Sequence, residues 1–97
     1  MPKRDKPRAL DRDAAETIAL QGLAFLAEDA GRMARFLALT GLEPGEMRAR
    51  AATAELLRAV LEHLVCDESL LLVFAASRGV APESIPPAIA LLQAPSP

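Results

Sequence analysis

Apolar residues along this 97-residue chain recur at helical spacing, with no alternating run that reads as a strand. Ile18, Gly22, Phe25 and Leu26, joined by Leu23, fall on one side of a first helix. Met33, Phe36 and Leu37 form a second stripe, and Leu56, Leu57, Val60, Leu61 and Leu64 make the strongest one. Asp13, with Glu16 three residues on, has the chemistry of a capping box, so the first helix is expected to run from there to about Glu28. Asp29 and Asp67 stand where the caps of a second and a fifth helix belong, and Thr53 where that of a fourth does. Gly41 and Gly79 follow last turns, each with an apolar residue behind it (Leu42, Val80), as a left-handed helix terminus requires.

Pro44 suits the first position of a short third helix, because its missing amide hydrogen would have had no intrahelical partner. Glu46 follows at the positive helix end, and Met47 and Ala51 give this helix a thin apolar edge. Leu70 to Ala76 is apolar on every side, so the fifth helix, ending at Arg78, is expected either at the centre of the core or against another subunit. Pro82 opens the last segment. Pro86 and Pro87 are expected to split it, leaving a final helix from about Pro87 to Gln93 with Ile89 and Leu92 facing inward.

The same grammar is written twice, 38 residues apart. Phe36, Gly41, Leu42, Pro44 and Met47 are echoed by Phe74, Gly79, Val80, Pro82 and Ile85. Seven identities occur in the 34 pairs of 18–51 against 56–89, among them Asp29/Asp67, Phe36/Phe74, Gly41/Gly79 and Pro44/Pro82. Two segments sharing only start and stop signals would look similar. The expected architecture is therefore all-α: a compact bundle of five to six short helices, built as two similar helix-turn-helix units related by an internal repeat.

Composition agrees. Hydrophobic residues are 52% of the chain and aromatics 3%, so the apolar content is mainly Ala and Leu, both strong helix formers. The net charge of −2 hides an asymmetry, because both lysines and three of the nine arginines lie in residues 1–13. Residues 1–12 read as a disordered basic leader, 13–93 as a single helical domain, and 94–97 as a frayed end. The remaining body is acidic, which disfavours nucleic acid, since such binding rests on neutralising phosphates. No apolar run approaches the ~18 residues of a membrane span. One cysteine, Cys66, cannot form an internal disulfide, and the cytoplasm is the expected compartment.

Several stretches carry a resemblance: Ala15-Glu16-Thr17-Ile18-Ala19-Leu20, Phe25-Leu26-Ala27-Glu28-Asp29, Arg35-Phe36-Leu37-Ala38-Leu39-Thr40-Gly41-Leu42, then Pro44 and Arg48-Ala49-Arg50. Over about residues 14–85 the chain resembles a family of small all-helical bacterial proteins, common among alphaproteobacteria and known only as a domain of unknown function. The resemblance implies a compact helical fold and no assigned activity. Ala30 stands where such sequences often have Pro, and Glu43 where a capping Asp or Ser is usual, so a weaker local cap is expected there.

Reactive chemistry is sparse. His63 and Cys66, three apart on the fourth helix, could be imagined as a metal site or a Cys–His nucleophile. A structural metal needs about four ligands and a catalytic one three, and no further His or Cys exists. The repeat aligns His63 with Phe25, which predicts a half-buried packing role. Glu46/Arg50 and Arg58/Glu62 have the spacing of ion pairs on a solvated helix face. No Gly-rich phosphate loop occurs. No catalytic, cofactor-binding or metal-ligating residue is assigned, and no cofactor is expected. The expected function is a non-catalytic protein–protein interaction or self-association module, with a second copy or an unidentified protein as partner. Leu39 and the fifth helix are its interface material. A DNA-binding helix-turn-helix using Arg48 and Arg50 is the first alternative, and a small-ligand or metal-binding protein the second.

Overall fold

Asp11, rather than Asp13, opens the first helix. Its carboxylate accepts a 2.8 Å hydrogen bond from the Ala14 amide and caps α1 (Arg12–Ala27). The computed structural model describes residues 10–93, and the boundary drawn at residue 12 lies inside the folded part. Leu10, just ahead of the cap, packs on the core that Ala15 enters, the arrangement of a hydrophobic staple. That contact selects Asp11 over Asp13. Asp13 sits in the first turn, and Glu16 pairs with Arg12 at 3.7 Å instead of serving a capping box. Residues 1–9 of the leader expected at 1–12, and the C-terminal end expected at 94–97, lie outside the described residues.

Five more helices follow: α2 (Ala30–Thr40), α3 (Pro44–Ala49), α4 (Ala54–Val65), α5 (Glu68–Arg78) and, after a 3₁₀ turn at Pro82–Ser84, α6 (Ile85–Gln93). Asp29, Thr53 and Asp67 each accept a hydrogen bond from the amide three residues on, as caps do. Glu43 does not leave its helix without a cap. The Glu46 carboxylate reaches back 3.0 Å to the Glu43 amide, so Glu46 is engaged there and makes no pair with Arg50. Pro86 and Pro87 do not split the last helix. They occupy the second and third positions of α6, in a first turn whose amides have no intrahelical acceptor, and the break falls before them.

The centre is a three-helix contact of α1, α4 and α6, each packed on the other two. Shorter helices cover it: α2 lies against α1 and α4, and α5 against α4 and α1. The face α1 turns inward is Ala15, Ala19, Gly22, Phe25 and Leu26, with Ile18 and Leu23 only half-buried. Small side chains at that crossing let the helix axes approach. Phe25, Phe36, Phe74, Leu26, Leu61, Leu64, Ile85 and Val60 are fully enclosed, and no polar or charged residue is buried among the described residues. Phe25 and Phe74 meet edge to face, with ring centroids 5.4 Å apart, and the Arg32 guanidinium lies 4.1 Å over the Phe25 ring.

Among the described residues the molecule is all-α, a bundle of six helices. α2 and α5 have the same length, each capped by Asp and closed by a left-handed glycine, Gly41 at φ 76° and Gly79 at φ 67°. The internal repeat is not confirmed beyond that shared grammar. Its halves diverge after the glycines, into a six-residue α-helix in one and a 3₁₀ turn running into α6 in the other. Among the described residues no helix is long and apolar enough to cross a membrane.

Candidate interaction surfaces

His63 lies in the last turn of α4, half-buried, with its ring edge-on to Phe36 at a centroid distance of 5.2 Å. Its Nε2 is enclosed and has no hydrogen-bond partner among the described residues. Cys66 is the residue that ends α4, and its thiol side is exposed. Both line a shallow pocket of about 250 Å³ with Leu39, Thr40, Ala59 and Glu62, yet no hydrogen bond joins them. No three His, Cys, Asp or Glu residues come together with metal-site geometry among the described residues. An imidazole with no partner to orient it is held by packing, as alignment with Phe25 predicts.

Burial holds the His63 pKa below its ordinary 6.5, the Arg35 guanidinium pushes the same way, and Asp67 opposes both. The unfolded chain therefore binds this proton more readily than the folded one. The stability at stake is fully present above about pH 6.5 and is lost as pH falls from there through the folded-state pKa. Wild-type protein should melt at a lower temperature at pH 5.5 than at pH 7.5. A His63→Leu variant should show less of that decline in the same buffers. Equal pH dependence in the two proteins would mean that His63 is solvated and unstrained.

The arginines of the helix-turn-helix alternative separate. Arg48 is exposed on α3, which at six residues is about 9 Å long, and Arg50 lies beyond it as the terminating residue. The spacing of Glu46 and Arg50 no longer makes a pair there, because Arg50 has left the helix. Arg58 and Glu62 also form no ion pair within 4 Å. Arg78 joins Glu28 instead, tying the end of α5 to the end of α1.

Three other surfaces stand out among the described residues. A polar cleft of about 540 Å³ between α1 and the end of α5 carries Asp11, Asp13, Thr17, Gln21 and Arg78. Asp11 is already the cap of α1 and Arg78 already pairs with Glu28. An apolar groove of about 490 Å³ between α1 and the α2–α3 arm has Leu20, Leu23, Met33 and Met47 in its lining and Arg48 at its edge. Leu20 is 47% exposed there, off the stripe that the sequence assigns to α1.

The third surface is the outer face of α5. Phe74 and Ala75 are its only buried residues, so this helix is not the centre of the core. Leu70 and Leu71 are half-buried, while Leu72 and Val73 are 50% and 49% exposed. Its outward positions are Glu68, Ser69, Leu72, Val73, Ala76 and Ser77, and beyond Glu68 two turns of solvent-facing helix carry no charge. Single exposed leucines are ordinary; here Leu72 and Val73 stand side by side at the middle of the outward face. Leu39, also expected at an interface, is 65% exposed on α2 at the edge of the His63 pocket. The run from Leu70 to Ala76 signalled α5 in the sequence; which side faced out was not legible there. Nothing in the sequence signalled the groove, because its walls come from three helices.

A family model described as "Protein of unknown function (DUF3572)" matches residues 12–95. The chain belongs to that family. No curated protein and no solved structure matches it.

Proposed function

We propose that this DUF3572 chain is a non-catalytic protein-association module, with the outer face of α5 as its contact surface. The observation that carries the reading is the half-exposed Leu72–Val73 pair on the outer face of α5, which carries no charge between Ser69 and Ser77. The distribution of polar groups supports it. Asp11, Asp29, Glu46, Thr53 and Asp67 are engaged in helix caps, and the one imidazole meets an aromatic ring edge-on. A single thiol suits the reducing cytoplasm, which we take as the compartment.

The test is the size of the protein in an extract of its own cells, at its natural abundance. Wild-type chain should elute well above its 10.3 kDa monomer. Chain carrying Leu72→Lys and Val73→Lys should elute as the monomer while keeping its helical circular dichroism, because both side chains are half in water already. A wild-type chain that elutes as a monomer would remove the reading.

A further inference from the structure

We infer that Met47 is the latch holding α3 on the body of the protein, and that its oxidation to the sulfoxide by a hydroperoxide releases that helix. α3 has no fully buried residue, and every residue of it except Met47 is exposed. Met47 is also the one residue of α3 that packs on the buried core. Leu42 before the helix and Ala51 after it make the adjoining contacts, and the joints at 41–43 and 50–53 are not helical. A segment with so few buried apolar contacts belongs to the low-stability end of a structure, where one side chain decides whether it stays docked.

The groove beside α1 gives that side chain its chemistry. Met33 and Met47 both line this open groove, so a small oxidant reaches them from solvent. A thioether suits such a wall because it is apolar and adaptable. On meeting hydrogen peroxide, a sulfur lone pair takes one oxygen. An S–O bond forms, the O–O bond breaks, and the other oxygen departs as water with the proton of the transferred hydroxyl. Sulfur gives up two electrons and the peroxide gains them. The new oxygen is strongly polar, and the lining otherwise offers it leucine, alanine and methionine side chains. Its one polar side chain among the described residues, Arg48, is exposed at the edge and draws the oxygen outward. Met33 gains the same oxygen with a different result, because α2 is also fixed by the fully enclosed Phe36. Release is therefore confined to α3, and it removes one wall from over the half-buried Leu23.

Backbone relaxation by NMR reads the latch directly. Purified, isotope-labelled full-length protein is treated with hydrogen peroxide until peptide mass spectrometry shows one added oxygen at Met47. Order parameters over residues 44–49 should fall from about 0.85 to below about 0.6, while those of α1, α4 and α6 hold. Methionine sulfoxide reductases should restore them. Met47→Leu is close in volume and carries no sulfur, so it should keep α3 ordered under the same treatment, whereas Met33→Leu should not. Met47→Gln sets an amide in the groove and should loosen α3 with no oxidant at all. Unchanged order in protein fully oxidised at Met47, or equal loosening in the Met47→Leu protein, overturns the inference. So does loosening of all six helices together, an ordered α3 in Met47→Gln, or a Met47 that stays reduced while free methionine in the same solution is consumed.

Discussion

Replacing Phe74 with alanine should lower stability by about 3–5 kcal/mol, a large share of the total a domain of this size possesses. Phe74 is 0% exposed and meets Phe25 edge to face, so the truncation removes a full aromatic transfer contribution and a ring–ring contact together. The cavity would open between α5 and the α1–α4 pair, where Val60, Leu64 and Gly22 line the other side. Phe36→Ala should cost a similar amount, because that ring is also fully enclosed and is the surface His63 rests on. His63→Ala should cost much less, since the imidazole is only half-buried and brings an unpartnered nitrogen with it. Urea unfolding followed by circular dichroism, with the slope unchanged, measures all three. A Phe74→Ala loss below about 1.5 kcal/mol, or a His63→Ala loss larger than either, would show that the anchors are misidentified.

The second large effect belongs to a residue with no side chain. A Cβ placed on Gly22 would lie 3.0 Å from Val60 Cγ1 and 3.2 Å from Leu64 Cδ1, both of residues with no exposure at all. Gly22→Leu has no room at that crossing and must push α1 and α4 apart. A loss of about 3 kcal/mol or more is expected, at or beyond the usual cost of overpacking. Gly22→Ala sets a gain of roughly 1 kcal/mol in helix propensity against a small displacement of two buried side chains. Gly45→Leu is the control. It lies in α3 with open space where its side chain would go, and should change stability by less than about 0.5 kcal/mol. Comparable melting temperatures for Gly22→Leu and Gly45→Leu would mean that the α1–α4 crossing is not close-packed at Gly22.

Much of this architecture can be read from residues whose role is local. Asp29, Thr53 and Asp67 cap because a short acceptor side chain three residues before a free amide satisfies it whatever surrounds the helix. Gly41 and Gly79 stop helices because left-handed backbone is open to them without strain. Misreadings arose where two local signals competed and a distant contact chose. Asp11 and Asp13 could each cap α1, and the packing of Leu10 on the core decided. Pro86 and Pro87 could break a helix or begin one, and the 3₁₀ turn ahead of them placed them in a first turn.

The surface assigned to association was half visible. A run such as Leu70-Leu71-Leu72-Val73-Phe74-Ala75-Ala76 has no polar side to mark which way it turns, so its sequence is consistent with burial all round. Its outward face emerged only once Phe74 had been drawn against Phe25, which rotates Leu72 and Val73 to the opposite side. The methionine-lined groove was invisible for a related reason: Leu20, Met33 and Met47 are distant in sequence and lie on three different helices, Leu20 off the stripe assigned to α1.

The sequence by itself determined that the chain is helical, where most helices begin and end, and which apolar side chains were available for burial. Those properties follow from backbone satisfaction and propensity within a few residues. The tertiary structure alone decided that α1, α4 and α6 form the centre, that α5 keeps one apolar face in water, and that His63 rests on Phe36. Each depends on which surfaces meet across long stretches of chain, and side-chain volume and close approach, as at Gly22, select among packings that periodicity leaves equivalent.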